Sequence, residues 1–394
     1  MTGAIRQHQK AGEMVARTAM KLGIISTIGG GYSWAGSEEM WKMVATHALS
    51  KGYSVGVHAA ATIARSTQLD ALRLAGLVTI PREELNAITR RLAERNLFCR
   101  FKRFFATRHD VILLSMGGIA DCVWIPDLLA WIRRSSTPLV IIVQANAEGI
   151  VQTEAQREVL RSVYNRAATV IFVSHHNLKL AERQLAWRFP NATLIPNPLR
   201  EPLQASLPWP TSGGGRLRFA QVARLDVTDK QQDHILEALA TDAWRNRSWL
   251  LTFFGSGPDE NHIRRLINLY DLKAKVSLGG FVSDFQAIWR DHHLHILTSR
   301  REGMPLSLIE SMACGRPALV THAGASTELV KDGVHGFVSP GMHPEVLRET
   351  LERAWARRDQ FHEMGMAAHE RITELANTDC GEAILPIIET AARS

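Results

Sequence analysis

Ser299-Arg300-Arg301-Glu302-Gly303-Met304-Pro305-Leu306-Ser307-Leu308-Ile309-Glu310-Ser311-Met312-Ala313-Cys314-Gly315-Arg316-Pro317 carries its own helix punctuation. Pro305 suits the first helical position, Gly315 suits the C-terminal cap, and Pro317 blocks continuation. Glu302 falls just before this helix, and Glu310, eight residues on, falls inside it within an apolar run. Between the two acids lie the first backbone N–H groups, around Met304 to Ser307, which have no intrahelical partners. Such a terminus attracts anions, phosphates above all. The segment reads as a phosphate cradle flanked by two carboxylates. Ser299-x-x-Glu302 also spells a capping box, but Pro305 sets the helix start too late for that role.

On either side, apolar runs alternate with helical patterns. Strands are expected at Leu217–Val222, Leu250–Phe254, Val276–Gly279, His295–Leu297 and Ala318–Val320. This rhythm belongs to a parallel α/β sheet, whose ligands sit at the carboxyl ends of the strands. Arg224 and Lys230 follow the first of these runs, where two cations can neutralise a diphosphate. Read bare, they are equally two solvated bases in a charged loop. Gly255-Ser256-Gly257-Pro258 follows the second run and lets backbone approach a ligand. Gly279-Gly280-Phe281 follows the third and offers main-chain groups, with Phe281, to a nucleobase.

The first half repeats the rhythm. Lys21–Thr27 runs into Gly29-Gly30-Gly31, a helical pattern extends from Gly36-Ser37-Glu38 to Lys51, and Ser54–Ala59 follows as a second strand. A dinucleotide fingerprint fails, because Trp34 stands where the third glycine is required and no ribose-binding acid ends the second strand. Further strands are expected at Val111–Ser115, Leu139–Val143, Thr169–Val173 and Thr193–Ile195. Proline and glycine crowd the stretch from Pro196 to Gly215. The expected division is an N-terminal extension at 1–20, a first α/β domain at 21–200, a linker at 201–215, a second α/β domain at 216–380, and a last helix at 381–394.

With 394 residues, the chain can bury two cores. Its net charge of +7 suits an anionic partner without naming it. The four cysteines, Cys99, Cys122, Cys314 and Cys380, show no C-x-x-C spacing, so a reducing, cytoplasmic setting is expected. The first twenty residues lack the apolar core of a secretory signal.

The second half resembles the retaining glycosyltransferases of the GT-B fold, family 4. The resemblance rests on Arg224 with Lys230, Gly255-Ser256-Gly257-Pro258, Leu278-Gly279-Gly280-Phe281-Val282 and the Glu302-x7-Glu310 block, continued by Gly315-Arg316-Pro317, Glu328-Leu329-Val330 and Gly336-Phe337-Val338. Gly36-Ser37-Glu38, Val173-Ser174 and Ile195-Pro196-Asn197-Pro198 extend it more loosely into the first half. It implies an α/β protein of two Rossmann-like parallel-sheet domains facing across a cleft, an acceptor domain at 21–200 and a nucleotide-sugar domain at 216–380, with the last helix at 381–394 returning to the first. It implies a nucleotide-diphosphate sugar as donor substrate, a hydroxyl acceptor (glycan or lipid-linked), retention of configuration, and no metal or other cofactor. By the same resemblance Glu310 binds the ribose. Arg224 and Lys230 hold the diphosphate with the N–H groups of Gly303, Met304 and Leu306 around Pro305. Glu302 contacts the donor sugar, and Gly36 and Ser37 approach the phosphates or acceptor from the other domain.

Gln144 departs from the pattern, standing where the family usually has a histidine. A carboxamide can position a sugar but cannot act as a base. Two rival readings follow: a nucleotide-sugar-binding module without catalysis, and a sugar-nucleotide epimerase on the same fold. His292, His293 and His295 are expected to be structural rather than metal ligands, lacking partners at ligand spacing. Arg90 to Arg108 is densely basic, with Phe98, Phe101 and Phe105 on one helical face. Packing on its own domain is the first reading, and peripheral contact with the inner face of a membrane is the second. No nucleic-acid module accompanies those aromatics.

Overall fold

The computed structural model describes residues 19–29, 34, 36–82, 84, 89, 91–92, 99–199, 205–211, 215–375 and 379–394. Among them, seven strands form the first sheet: β1 (Lys21–Ser26), β2 (Ser54–Ala60), β3 (Val78–Arg82), β4 (Val111–Met116), β5 (Leu139–Val143), β6 (Thr169–Phe172) and β7 (Ala192–Leu194). Their order is β3-β2-β1-β4-β5-β6-β7 and every pairing is parallel. A second parallel sheet, ordered β10-β9-β8-β11-β12-β13, comprises β8 (Leu217–Val222), β9 (Trp249–Phe254), β10 (Val276–Gly280), β11 (Leu294–Leu297), β12 (Ala318–Thr321) and β13 (Gly336–Ser339). Two Rossmann-like layers therefore stand where the alternation of apolar runs placed them.

The central strands of the first sheet, β1, β4 and β5, are buried almost throughout, as a parallel sheet covered on both faces requires. In β5, Leu139-Val140-Ile141-Ile142-Val143 is buried at every position. Two strands escaped the sequence reading. β3 contains Pro81, which reads as a strand breaker but is tolerated at the sheet edge that β3 occupies. β13 is short, and Gly336 (φ +144°) lies so close to Ala318 that any Cβ would strike its carbonyl.

Seven helices bear on the site: α1 (Gly36–Ser50), α2 (His175–Leu185), α3 (Val227–Lys230), α4 (Leu306–Ala313), α5 (Ser326–Leu329), α6 (Phe361–Leu375) and α7 (Cys380–Ala391). α7 packs on the first domain: Cys380, Ile384, Leu385, Ile388 and Ala391 join the core containing Trp41 and Val44 of α1. Asp379 caps α7, accepting from the N–H of Gly381 at 2.7 Å, and meets His47 Nε2 of α1 at 2.9 Å. The proline-rich connection is docked where described. Buried Arg316 donates to the carbonyls of Leu207 and Pro208, and Trp209 lies over its guanidinium. Thus 205–211 belongs physically to the second domain.

The basic segment turns its aromatics inward. Phe101 and Phe104 are fully buried, and Phe105 stacks on Trp131 at 4.2 Å between centroids. Arg100 is ion-paired with buried Asp127. Phe101 and Phe104 belong to the protein's own core, and Phe98 lies outside the described residues. No helix among the described residues is long and apolar enough to cross a membrane.

Both cores hold histidines as neutral groups. His58, fully buried, bonds the Ile80 carbonyl at 2.9 Å and packs on Phe101 and Phe104, and burial pushes its pKa down to about 4. His295, fully buried on β11, bonds Ser311 Oγ at 3.0 Å and is pushed down to about 3, again by burial. His292 and His293 are buried beside it, and no cluster of three potential metal ligands occurs among the described residues. Below the ordinary imidazole pKa the unfolded chain binds protons that these folded sites refuse, so stability falls with pH until the folded pKa is passed. From pH 6 to pH 5 the two sites together should remove roughly 2 kcal/mol. Denaturant midpoints at the two pH values measure this. A His295→Leu variant with the parent's pH dependence would refute the assignment.

Candidate active site

The site is built on strand ends. β8 and β11 are neighbours, and the chain leaves both on the same side of the sheet. After β8, Asp226 caps α3 by accepting from the N–H groups of Thr228 and Asp229, at 3.0 and 3.2 Å. The short helix ends at Gln231, whose φ of +52° reverses the chain. Gln221 Nε2 and Thr298 Oγ1 both donate to the Lys230 carbonyl at 3.1 Å, fixing the end of α3 to β8 and β11. Held there, Lys230 Nζ meets Glu302 Oε1 at 2.5 Å.

Arg224 joins the same charged cluster. Its guanidinium pairs with Asp226 and lies 3.4 Å from Asp229 Oδ2, which also receives Arg301 at 2.9 Å. Sequence reasoning missed Asp229 and Arg301; their signal was position alone, one residue before Lys230 and one before Glu302. These cations are oriented by acids rather than loose in solvent. Oriented cations of this kind act on a developing phosphate charge with little reorganisation.

α4 begins at Leu306, with Pro305 as its N-cap (φ −71°, ψ 117°) rather than its first helical residue. The extended Pro305 ψ explains the shift, and its carbonyl receives the N–H of Leu308 and Ile309. At the other end Gly315 (φ +75°) supplies the left-handed cap that the sequence requires. Glu310 lies on the buried face of α4 and is 1% exposed.

Glycines let the loops interlock. A Cβ on Gly255 (φ +133°) would strike the Ala223 carbonyl, and the Gly255 N–H donates to Gly280 at 2.7 Å. The turns after β8, β9 and β10 are thereby layered on one another. Phe281 extends from the last of them, 73% exposed, as an aromatic surface at the rim.

The first domain reaches the same place. Asn146 and Glu302 form an antiparallel bridge between domains. Gly303 lies so close to the Gln144 carbonyl that a Cβ would collide with it. Gln144 itself is buried; its carboxamide donates to the Ser37 carbonyl at 3.3 Å, facing α1. The backbone of Gln144, more than its side chain, meets the Glu302 loop. Gly36, at the start of α1, faces Leu306 across the junction, a Cβ there falling 3.0 Å from Leu306 Cδ1. Ser37 Oγ donates to Glu38, 2.6 Å away. Burial raises the Glu38 carboxyl above its usual range, against hydrogen bonds from Ser37, Ser26 and Trp41. Asn197, present in the sequence motif without a role, donates to the Met304 carbonyl at 2.8 Å. The loop at 29–36 lies partly outside the described residues.

Residues 211–371 match the family model described as glycosyl transferases group 1. That match lies in the second half of the chain, and the two facing parallel-sheet domains are the GT-B fold. Among sequence relatives, the exopolysaccharide phosphotransferase SCO2592 of Streptomyces coelicolor is 29% identical over 209 residues, spanning 52% of this chain and 22% of that protein. The chain spans between 16% and 36% of the length of the relatives it matches by sequence. Sucrose-phosphate synthase of Thermosynechococcus elongatus is similar in structure, with a TM-score of 0.70 at 18% identity over 95% of this chain and 98% of that one. Anabaena Alr3699/HepE, solved in complex with UDP-glucose, has a TM-score of 0.68 at 18% identity over 95% of this chain and 100% of that one. At such identities these structures establish the fold alone.

Proposed function

We propose that this protein is a retaining, metal-independent glycosyltransferase of family 4, moving a sugar from a nucleotide-diphosphate donor to a hydroxyl of a growing polysaccharide or glycoconjugate. The observation that carries the reading is the Lys230–Glu302 pair at 2.5 Å, set between the Arg224–Asp229–Arg301 cluster and the start of α4. In this reading Arg224 and Lys230 hold the diphosphate, the N–H groups of Gly303, Met304 and Leu306 complete the cradle, and Phe281 borders the base. Glu302 positions the donor sugar, Glu310 takes the ribose, and Gly36, Ser37 and Gln144 form the facing wall. The anomeric carbon–phosphate oxygen bond breaks while the acceptor oxygen bonds the same face. The acceptor proton passes to the departing phosphate oxygen, so no protein base is required. The UDP-glucose bound to Alr3699/HepE makes UDP sugars the first donors to test, and the exopolysaccharide relative directs attention to glycan acceptors.

The test is a panel of UDP, GDP and ADP sugars with glycan acceptors, in buffer containing a chelator. A true donor at a hundred times its dissociation constant should add about 2.7 kcal/mol of stability. Transfer should release the nucleoside diphosphate and leave the donor's anomeric configuration in the product. Inverted product, or turnover abolished by chelation, would overturn the corresponding part of the reading. A panel with no binding and no turnover would overturn all of it.

A further inference from the structure

The first-turn N–H groups of α2, those of His175 and His176, donate across the domain junction to Glu328, at 3.3 Å to Oε2 and 2.6 Å to Oε1. Glu328 lies on α5 of the second domain. A helix N-terminus carries partial positive charge, and its first N–H groups lack intrahelical partners. The local cap, Ser174 Oγ, serves only the Asn177 N–H here, at 3.1 Å. Glu328 therefore takes the two donors that the local cap leaves over. Around it, His322 of the second domain faces the His176 ring at 5.5 Å, and Glu148 lies 3.9 Å from His176 Nε2.

The segment carrying Glu328 is also fastened to the candidate catalytic loop. Ala325 N–H donates to the Gly303 carbonyl at 2.7 Å, one residue before α5 begins. Gly324 (φ +52°) is packed so tightly that a Cβ would strike the carbonyls of Glu302 and Gly303. An unbroken series of contacts thus runs from α2 through Glu328 and α5 to Gly303 and Glu302.

We propose that Glu328 is a positioning residue, a latch that holds the two domains closed and seats the Glu302–Gly303 loop against Gln144 and Asn146. Its consequence for catalysis rests on the glycosyltransferase reading; the latch itself does not. The carboxylate reaches α2 only with the domains together, so its bonds stabilise that arrangement alone and shift the open–closed equilibrium. Loss of one charge-assisted hydrogen bond is expected to shift that ratio by about tenfold or more.

The experiment places spin labels at Glu158→Cys and Lys273→Cys, one exposed site on each domain, in a Cys99→Ser background. Pulsed dipolar spectroscopy then reads the interdomain distance for the parent, Glu328→Gln, Glu328→Ala and the exposed control Glu349→Ala. A longer-distance population in either Glu328 variant, absent from parent and control, is the expected result. The isosteric Gln variant guards against loss of fold, checked by its unfolding midpoint. Distance distributions identical in all four proteins overturn the latch. UDP-glucose titrated into the parent, followed by tryptophan fluorescence and release of UDP, tests the positioning role. A falling kcat with little change in donor KM in Glu328→Gln is expected, and an unchanged kcat overturns that role. No response of the parent to any nucleotide sugar would count against the glycosyltransferase reading and leave the distance result standing.

Discussion

Replacing Glu302 by alanine is expected to abolish sugar transfer in a protein that remains folded. Glu302 stands between the two domains: its side chain pairs with Lys230 at 2.5 Å, and its backbone bridges to Asn146 of the facing domain. If it accepts two hydroxyls of the donor sugar, each charge-assisted bond contributes about 1.5–3 kcal/mol, and losing both slows turnover roughly 10²–10⁴-fold. Removing it also releases Lys230, so the ammonium is no longer aimed by a partner. The Lys230–Glu302 pair is only partly buried, so its loss should cost stability far less than breaking a buried pair. Initial rates with the donor identified by the nucleotide-sugar panel measure the effect, with circular dichroism and the denaturation midpoint as the fold check. A variant retaining a third or more of the parent's turnover would refute the role.

Gly303→Ala tests whether the two domains must touch at that loop. A Cβ there would collide with the Gln144 carbonyl and fall 3.1 Å from Val173 Cγ2. Both neighbours belong to the first domain, and backbone at Gln144 is anchored by its N–H to the Met116 carbonyl at 2.9 Å. It cannot swing aside as a flexible side chain could. The methyl group must therefore part the domains or displace the Glu302 loop. A displacement of about 1 Å at a reacting centre costs on the order of 10²-fold in rate. Because each domain keeps its own core, unfolding should hardly change. We expect kcat to fall at least that far while donor affinity, held mainly by the second domain, falls less. An alanine variant with the parent's kcat would show that the contact with Gln144 does not matter to turnover.

Much of this arrangement was legible along the chain. The apolar runs that became β1, β4 and β5 are buried strands whose hydrophobicity leaves little alternative. Gly315 and Pro317 marked the end of α4, and the positive φ of Gly315 is the physical content of that mark. Pro305 misled by one position, because proline serves an N-cap with an extended ψ as readily as a first turn. Phe101 reads first as packing on its own domain, and the structure agrees: Phe101 and Phe104 are buried, with His58 of β2 and His109 as ring partners.

Sequence by itself determined the two α/β layers, the glycine turns, the cations after β8 and the two acids around α4. Each of these is written in short-range spacing, where periodicity and capping chemistry act within a few residues. Only the tertiary structure decided that Gln144 presents its backbone to Gly303, that Asn197 holds Met304, that Asp229 orients Arg224 and Arg301, and that Glu328 caps α2. Of these, the three junction contacts join residues more than a hundred positions apart. They depend on which loops two independently packed domains bring together, and no local pattern records that choice. The unpaired N–H groups of α2 and the missing side chain of Gly303 are the physical reasons this particular juncture fits.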